Sequence, residues 1–259
     1  MSDDILVARD GHIATITLNR PHKLNAMTKP MWRELGETVL ALGAEADLRC
    51  LVLRGAGGKA FSPGNDISEF ESDRSTPELA KAYAENTDIA FTSLLDCPIP
   101  TLALIEGICV GGGLEIAALC DLRICGTSSR FGVPINRLGL VMAYPEVRGL
   151  QRLVGRAATL EILLEGRVFG ADEAKAMGLV NRVLPDGEVG AEAMATAGRI
   201  AAGAPLVARW HKKFIRRLED PSPLTAEELS EGYDCYATED FQIGYQSFLT
   251  KTKPQFKAK

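Results

Sequence analysis

Histidine is scarce in this sequence, and cysteine pairs of the metal-binding type are absent. The only histidines, His12, His22 and His211, are far apart. The six cysteines include no CxxC pair, and four of them lie in apolar segments. Zinc and disulfide frameworks need such ligands at characteristic spacings. We therefore expect reduced cysteines in the core, no metal site and no cofactor held by the protein.

The sequence also lacks an uninterrupted apolar run and a tract of basic charge. Its most apolar stretch, Ile99–Leu119, contains Glu106, Glu115 and several glycines, whereas a membrane span needs about 20 predominantly apolar residues. The acidic start, Met1–Asp4, lacks the basic-then-apolar order of a signal peptide. With a formal net charge of -5 and mixed charges throughout, nucleic acid is not an expected partner. We expect a soluble cytoplasmic protein that binds neither membrane nor nucleic acid.

What is present is an ordinary globular composition with alternating strand and helix patterns. The 259 residues, 46% hydrophobic and 24% charged, suit one large domain or a domain with a small appendage. Strands are predicted at Ile5–Val7, Ile13–Leu18, Cys50–Arg54, Pro100–Glu106 and Leu122–Cys125. Helices are predicted at Lys29–Leu42, Pro77–Leu95, Leu114–Cys120, Val147–Val154, Thr159–Leu164, Ala171–Met177, Glu188–Ala202 and Pro205–Leu218, with a polar, mobile loop at Ser72–Pro77. This order indicates an α/β fold of repeated ββα-like units followed by helices.

Two glycine-containing turns carry most of the functional information. In Phe61–Ile67 (FSPGNDI), Pro63 and Gly64 predict a tight turn that leaves nearby backbone N–H groups without internal partners. In Glu106–Ile116 (EGICVGGGLEI), three glycines precede a helix whose first N–H groups are free to donate to a ligand. Such donors suit a thioester oxygen that becomes negative in the transition state. An ordinary surface turn is the simpler interpretation of the first segment.

Glu115 lies in a helix that is apolar on every side, so we expect it to be buried. Burial of a carboxylate costs several kcal/mol unless the group is paired or neutral. Its pKa should therefore be raised, which suits a general acid or base. The alternative is a structural glutamate paired with a buried arginine such as Arg123.

Together the two segments resemble the crotonase (enoyl-CoA hydratase/isomerase) superfamily, whose members carry an AFxAGxDI-like turn followed by a GxxxGGGxE-like turn and helix. Here these read Ala60–Ile67 and Gly107–Glu115. The resemblance covers nearly the whole chain. Further similar segments are Leu18–Pro21 with Leu24–Ala26, Gly178–Val183, and Phe248 with Lys253–Phe256.

The resemblance implies a crotonase-like spiral of ββα repeats (1–195) and a helical C-terminal trimerisation region (196–259), with trimers often paired into hexamers. It implies an acyl-CoA thioester as the substrate and an oxyanion hole formed by the backbone N–H groups of Asn65 and Gly112. It also implies the surroundings of the ligand: Lys23 near the CoA phosphates, Pro63 and Ile67 along the adenine and pantetheine path, Phe70 in the acyl pocket, Lys253 reaching CoA from a neighbouring subunit, and Ser62, Asp66 and Ile135 among the lining residues. Each lysine is equally interpretable as a solvated charge.

The sequence departs from the family pattern where hydratases usually carry a second glutamate. Their FGxPE-like segment reads Phe131–Asn136 (FGVPIN) here, and Ile135 cannot transfer a proton. The following loop, Leu140–Gly149, is longer than is usual and brings Tyr144 and Glu146 as candidate substitutes. Because Pro145 favours a helix start, Glu146 also suits a capping role without catalysis.

Several functions remain open from the sequence. We favour enoyl-CoA hydratase/isomerase chemistry with Glu115 as the general acid/base. Isomerisation alone, decarboxylation and thioester hydrolysis use the same hole with differently placed side chains. A non-catalytic acyl-CoA-binding homologue is a further alternative because Ile135 replaces a carboxyl. A phosphate-binding role for the glycines is disfavoured, since no GK[ST] follows them.

Overall fold

The computed structural model describes residues 3–259, so the part of the signal-peptide argument that rests on Met1 and Ser2 lies outside the described residues. Ten strands occur in these residues: β1 (Ile5–Asp10), β2 (Ile13–Leu18), β3 (Cys50–Gly55), β4 (Ala60–Ser62), β5 (Thr101–Ile105), β6 (Ile108–Val110), β7 (Leu122–Gly126), β8 (Arg130–Gly132), β9 (Phe169–Gly170) and β10 (Arg182–Leu184). They form a six-stranded sheet in the order β1-β2-β3-β5-β7-β10 and a four-stranded sheet in the order β4-β6-β8-β9.

Helices follow the strands and dominate the second half of the chain. The α-helices are α1 (Lys29–Gly43), α2 (Phe70–Asp73), α3 (Pro77–Asp96), α4 (Gly112–Leu119), α5 (Tyr144–Glu165), α6 (Ala171–Ala176), α7 (Val189–Ala201), α8 (Pro205–Arg217), α9 (Ala226–Glu231) and α10 (Glu239–Thr250). Short 3-10 helices occupy Pro21–Lys23, Ile67–Glu69, Pro134–Leu138, Asp186–Glu188 and Asp234–Ala237.

The repeating unit contributes one strand to each sheet. The pairs β3 and β4, β5 and β6, and β7 and β8 follow one another along the chain, and the first two pairs each lead into helices that end before the next unit. Equivalent strands of successive units pair in parallel, as in β3 with β5 and β4 with β6. The ββα-like repeat predicted from the sequence is therefore observed, although the sequence prediction did not include the short strands of the second sheet.

The large sheet is covered on both faces, which explains why its central strands are apolar throughout. Along β3, Leu51 and Leu53 pack into the main core with α1 and α3, whereas Cys50 and Val52 face a second cluster that includes α7. Successive side chains of a strand point to opposite faces, so a sheet that is buried on both sides carries no polar alternation.

The structure refines the predictions for several segments. The predicted helices Val147–Val154 and Thr159–Leu164 both lie within α5, and a kink at the non-helical Gly155, where φ is +76°, separates them. The predicted loop at Ser72–Pro77 is partly helical, because α2 extends to Asp73 and Thr76 caps α3 by accepting a hydrogen bond from the N–H of Leu79. Helix α7 crosses position 195, where we place the division between core and C-terminal region.

The remaining sequence expectations concern cysteines and membrane spans. Five cysteines are buried, Cys235 is partly exposed, and all six are free thiols. Within residues 3–259, no helix is both long and apolar enough to cross a membrane.

Candidate active site

The two glycine turns pack against each other through their backbones. A Cβ atom on Gly64 would lie 2.5 Å from the backbone nitrogen of Gly112, and one on Gly113 would lie 2.1 Å from the carbonyl oxygen of Ser62. Gly64 also has a φ of +90°, which L-residues with side chains rarely adopt. The glycines are therefore needed for the close approach of two chain segments about fifty residues apart.

Asn65 and Gly112 each present a backbone N–H at this junction. Asn65 forms a parallel bridge with Met27, in which the N–H of Met27 donates to Gly64 and the N–H of Asp66 donates to Met27, both at 2.8 Å. In that pattern the N–H of Asn65 points away from Met27. Gly112 is the first residue of α4, so its N–H has no acceptor inside the helix. Among residues 3–259, neither N–H has a hydrogen-bond acceptor.

Buried polar groups fix the conformation of the first turn. The hydroxyl of Ser62 donates to the carbonyl of Asn25 at 2.8 Å and accepts from the N–H of Gly64 at 3.0 Å. Asp66 pairs with Arg20 at 3.0 Å, and its pKa is lowered by hydrogen bonds from Ser68 and from Arg20 despite burial. Ser62 and Asp66 thus hold the turn in place from inside the protein.

The side chain of Asn65 is held by two buried aromatic residues. Its Oδ1 accepts from Nε1 of Trp32 at 2.7 Å and from the hydroxyl of Tyr83 at 3.1 Å. The Tyr83 hydroxyl also lies 3.3 Å from the Glu69 carboxylate, and burial raises the pKa of this tyrosine, so it remains a neutral donor. The sequence analysis did not identify Trp32 or Tyr83, because at helical spacing both are indistinguishable from ordinary core aromatics.

Glu115 lies in the first turn of α4 and is half-buried. Burial, together with the negative charge of Glu146, raises the pKa of its carboxyl to about 8, while the positive charge of Arg74 acts in the opposite direction. The alternative of an ion pair with Arg123 is wrong. Arg123 instead donates to backbone carbonyls, including that of Leu179 at 2.7 Å, and forms no ion pair within residues 3–259. The result is a carboxyl that is largely protonated at neutral pH.

Glu146 has the capping role that the sequence left open. It is the third residue of α5, and its Oε2 accepts from the N–H of Ala143 at 2.5 Å, as in one half of a capping box. Burial also raises its pKa, while the Ala143 hydrogen bond and Arg74 act in the opposite direction. Because the charge of Glu146 acts on Glu115, the two carboxyls titrate as a pair rather than independently. The cap is observed, and a role in catalysis stays a prediction.

Arg74 is a further charged group near the acid pair that the sequence analysis missed. Its guanidinium carbon lies 4.8 Å from the ring centroid of Phe70 and 4.9 Å from that of Tyr83. Its charge lowers the pKa of both Glu115 and Glu146, yet it forms no ion pair in the part of the chain that the structure describes. The only sequence signal was a single arginine, four residues after Phe70, in a segment that we interpreted as a loop.

The other predicted site residues lie in diverse surroundings. Tyr144, at the first position of α5, is 91% exposed. Ile135 is partly buried and packs against the main core. Of the residues expected to contact CoA, Pro63 and Phe70 are half-buried, whereas Lys23, Ile67 and Lys253 are exposed. Their contacts with a ligand stay predictions.

Comparison with known proteins gives a consistent result. A family profile described as "Enoyl-CoA hydratase/isomerase" matches residues 8–259. A probable enoyl-CoA hydratase of Mycobacterium bovis is 33% identical over 262 residues, covering 98% of both chains. A crystal structure described as an enoyl-CoA hydratase/carnithine racemase, from Magnetospirillum magneticum, is 51% identical with a TM-score of 0.98, covering 100% of this chain and 97% of that one.

A more distant solved structure has the same fold. The enoyl-CoA hydratase of Bacillus anthracis is 29% identical, with a TM-score of 0.91 over 99% of this chain and 100% of that one. The predicted α/β crotonase fold is therefore confirmed, and acyl-CoA is the ligand class that the family implies. On the family profile, the relatives and the shared fold, this chain belongs to the enoyl-CoA hydratase/isomerase, or crotonase, family.

Proposed function

We propose that this protein catalyses hydratase/isomerase chemistry on an enoyl-CoA thioester through an enolate held by the N–H groups of Asn65 and Gly112. The observation that carries the proposal is that two backbone donors without acceptors lie on glycine turns that contact each other. An oxyanion hole needs such donors in fixed positions, because they then cost no reorganisation when charge develops. Loss of one donor typically costs about 3 kcal/mol of transition-state stabilisation.

Glu115 is the general acid/base of this proposal. A pKa near 8 makes both of its protonation states available close to neutral pH, which is the condition for efficient proton transfer. In hydration, a carboxylate takes a proton from water as its oxygen adds to C3, and a carboxylic acid delivers a proton to C2. In isomerisation, one carboxyl removes a proton from C2 and returns it to C4.

Glu146 is the second carboxyl that hydration uses in this proposal. The negative charge of Glu146 raises the pKa of Glu115, which supports opposite protonation states for the two carboxyls, one acting as the base and the other as the acid. Tyr144 is a weaker candidate for this role because its side chain is almost fully exposed.

Isomerisation alone is the second candidate function. It is favoured by Ile135, which occupies the usual position of a hydratase glutamate and packs against the core. If Glu146 acts only as a helix cap, a single carboxyl remains, and one carboxyl suffices for moving a double bond.

Turnover of crotonyl-CoA, followed by loss of the enoyl absorbance, tests the proposal. Glu115→Gln should lower kcat by about 10²–10⁴-fold, because general acid–base catalysis typically contributes that much. Glu71→Gln, at an exposed glutamate of α2, is the matched control and should retain activity. A 3-enoyl-CoA substrate that is converted while crotonyl-CoA is not would favour isomerisation alone. CoA-ester binding without turnover of either substrate would indicate a non-catalytic homologue.

For the assembly, we extend the proposal to a homotrimer or a dimer of trimers. The C-terminal region carries exposed apolar side chains, which are typical of interaction surfaces: Ile215, Leu218, Tyr233, Tyr236, Tyr245, Phe248 and Leu249. In this arrangement Lys253, which is exposed on the same region, reaches the CoA of a neighbouring subunit. Light scattering should give three or six chains per particle, and a monomer in solution would contradict this part of the proposal.

The same proposal places CoA along the first turn. Lys23 faces the CoA phosphates, Pro63 and Ile67 line the adenine and pantetheine path, and Phe70 borders the acyl group. The exposure of Lys23 and Ile67 supports contact with a ligand that extends to the surface.

A further inference from the structure

The carboxamide of Asn65 has one defined orientation. Nε1 of Trp32 can only donate a hydrogen bond, so the atom that faces it at 2.7 Å must be the oxygen Oδ1. The hydroxyl of Tyr83 lies 3.1 Å from the same oxygen and 3.3 Å from the Glu69 carboxylate, and its single proton can be donated to either acceptor. Both aromatic residues are almost completely buried, so the two donors are fixed by core packing. The amide nitrogen Nδ2 consequently lies on the opposite side of the carboxamide.

Nδ2 of Asn65 is a donor without an acceptor in the described part of the protein. Within residues 3–259, Nδ2 donates no hydrogen bond. It is also not fully enclosed by protein atoms. Asn65 as a whole is half-buried. The amide hydrogens therefore face space that a ligand or water can reach, in an orientation that the protein has already fixed.

The surroundings of this carboxamide place it beside the proposed reaction centre. The same residue contributes the N–H of the proposed oxyanion hole, and the ring of Trp32 lies 3.0 Å from where a Cβ on Gly112 would be. On the other side, the ring of Tyr83 contacts Arg74, whose charge acts on both Glu115 and Glu146. The Asn65 side chain therefore contacts Trp32, which borders Gly112, and Tyr83, which contacts Arg74.

We infer that the Asn65 side chain donates a hydrogen bond from Nδ2 to an oxygen on the acyl group, close to C3, and so selects acyl-CoA ligands that carry an oxygen there. This inference rests on the proposed function, because it takes the thioester to be bound at the N–H of Asn65. An acyl-CoA with an alkyl group at the same place leaves the amide hydrogens without a partner. Such a ligand therefore binds more weakly than one that carries an oxygen there.

Calorimetric titration with acetoacetyl-CoA and butyryl-CoA tests the inference, because the two ligands differ by the C3 oxygen. Asn65→Ala keeps the backbone N–H and removes the carboxamide. We expect the preference for acetoacetyl-CoA over butyryl-CoA, taken as the ratio of their Kd values, to fall about tenfold, which corresponds to about 1.4 kcal/mol. Most of this change should be weaker binding of acetoacetyl-CoA.

Asn65→Asp is the matched second variant. Aspartate retains an oxygen that accepts from Trp32 and Tyr83 but offers no amide donor, so the same preference should fall at least as far. An unchanged ratio in both folded variants would overturn the inference and leave the proposed function standing. Failure of the unmodified protein to bind either ester would overturn the proposed function, and the inference with it.

Discussion

Gly64 and Gly112 approach so closely that neither position has room for a side chain. A Cβ on Gly64 would lie 2.5 Å from the nitrogen of Gly112, and a Cβ on Gly112 would lie 3.2 Å from the Cα of Gly64 and 3.0 Å from the ring of Trp32. The contact joins the turn after β4 to the start of α4. It therefore sets the relative position of the two backbone donors on which the proposed chemistry depends.

Replacement of Gly64 by alanine should separate these two segments. Gly64→Ala places a methyl group against the backbone of Gly112, which cannot rotate away as a side chain can. The φ of +90° at position 64 is also unfavourable for alanine. We expect kcat for crotonyl-CoA to fall by about 10²-fold or more, because loss of one oxyanion donor typically costs that much. Gly187→Ala is the control, since its added Cβ meets nothing within 4 Å. Equal activity of the two variants would show that the close contact is not needed for turnover.

The raised pKa of Glu115 should make stability depend on pH. Its folded pKa of about 8 exceeds the usual value of 4.5, so the folded state binds more protons than the unfolded state between these values. The free energy of unfolding contributed by this group is therefore fully present below pH 4.5 and is lost as pH rises towards 8. Glu115→Gln removes this pH-dependent loss of stability, because a glutamine side chain does not ionise.

Thermal unfolding of Glu115→Gln and the unmodified protein, at the same protein concentration, provides the measurement. We expect the Tm of the variant, relative to that of the unmodified protein, to be higher at pH 8.5 than at pH 5, because at pH 5 the folded carboxyl is protonated and most of its contribution to stability remains. A Tm difference of constant size at both pH values would contradict a raised pKa for Glu115.

Two substitutions at Glu146 should separate its capping role from a catalytic role. Glu146→Gln retains an oxygen that accepts from the N–H of Ala143, so the helix start and the Tm should be preserved. Glu146→Ala loses the cap as well and should cost about 1 kcal/mol of stability. If Glu146 transfers protons, both variants lose crotonyl-CoA hydration by about 10²-fold or more. A fully active, stable Glu146→Gln would leave the residue as a cap only.

Those parts of the candidate site that lie in short continuous motifs could be proposed from the sequence. The glycine turns, Glu115 and the choice of roles for Glu146 follow from local rules about φ, helix ends and buried charge. The helices α1 and α3 were also predicted closely, because their apolar spacing is regular. The strands of the small sheet are two or three residues long, too short for periodicity to distinguish them from loops.

What the sequence did not reveal depends on contacts between distant segments. The hydrogen bond from Trp32 to Asn65 joins α1 to the first glycine turn, and Arg74, whose charge acts on Glu115 and Glu146, stacks on Tyr83 of α3. From a single sequence, the local pattern predicts only that such residues lie in the core or in a solvated loop. The absence of an ion pair between Arg123 and Glu115 has the same origin, since backbone carbonyls around Arg123 satisfy its guanidinium.

Arg74 should control the pH range in which the acid pair works. Its positive charge lowers the pKa of both Glu115 and Glu146, so Arg74→Gln should raise both values. The limb of the kcat profile that requires an ionised carboxylate should then move to higher pH, and activity at pH 7 should fall while activity at pH 9 recovers. Arg156→Gln, at an exposed arginine of α5, is the control and should leave the profile in place. A uniform loss at every pH would instead indicate that Arg74 supports the packing of Phe70 and Tyr83, because a packing defect does not depend on the protonation of the carboxyls.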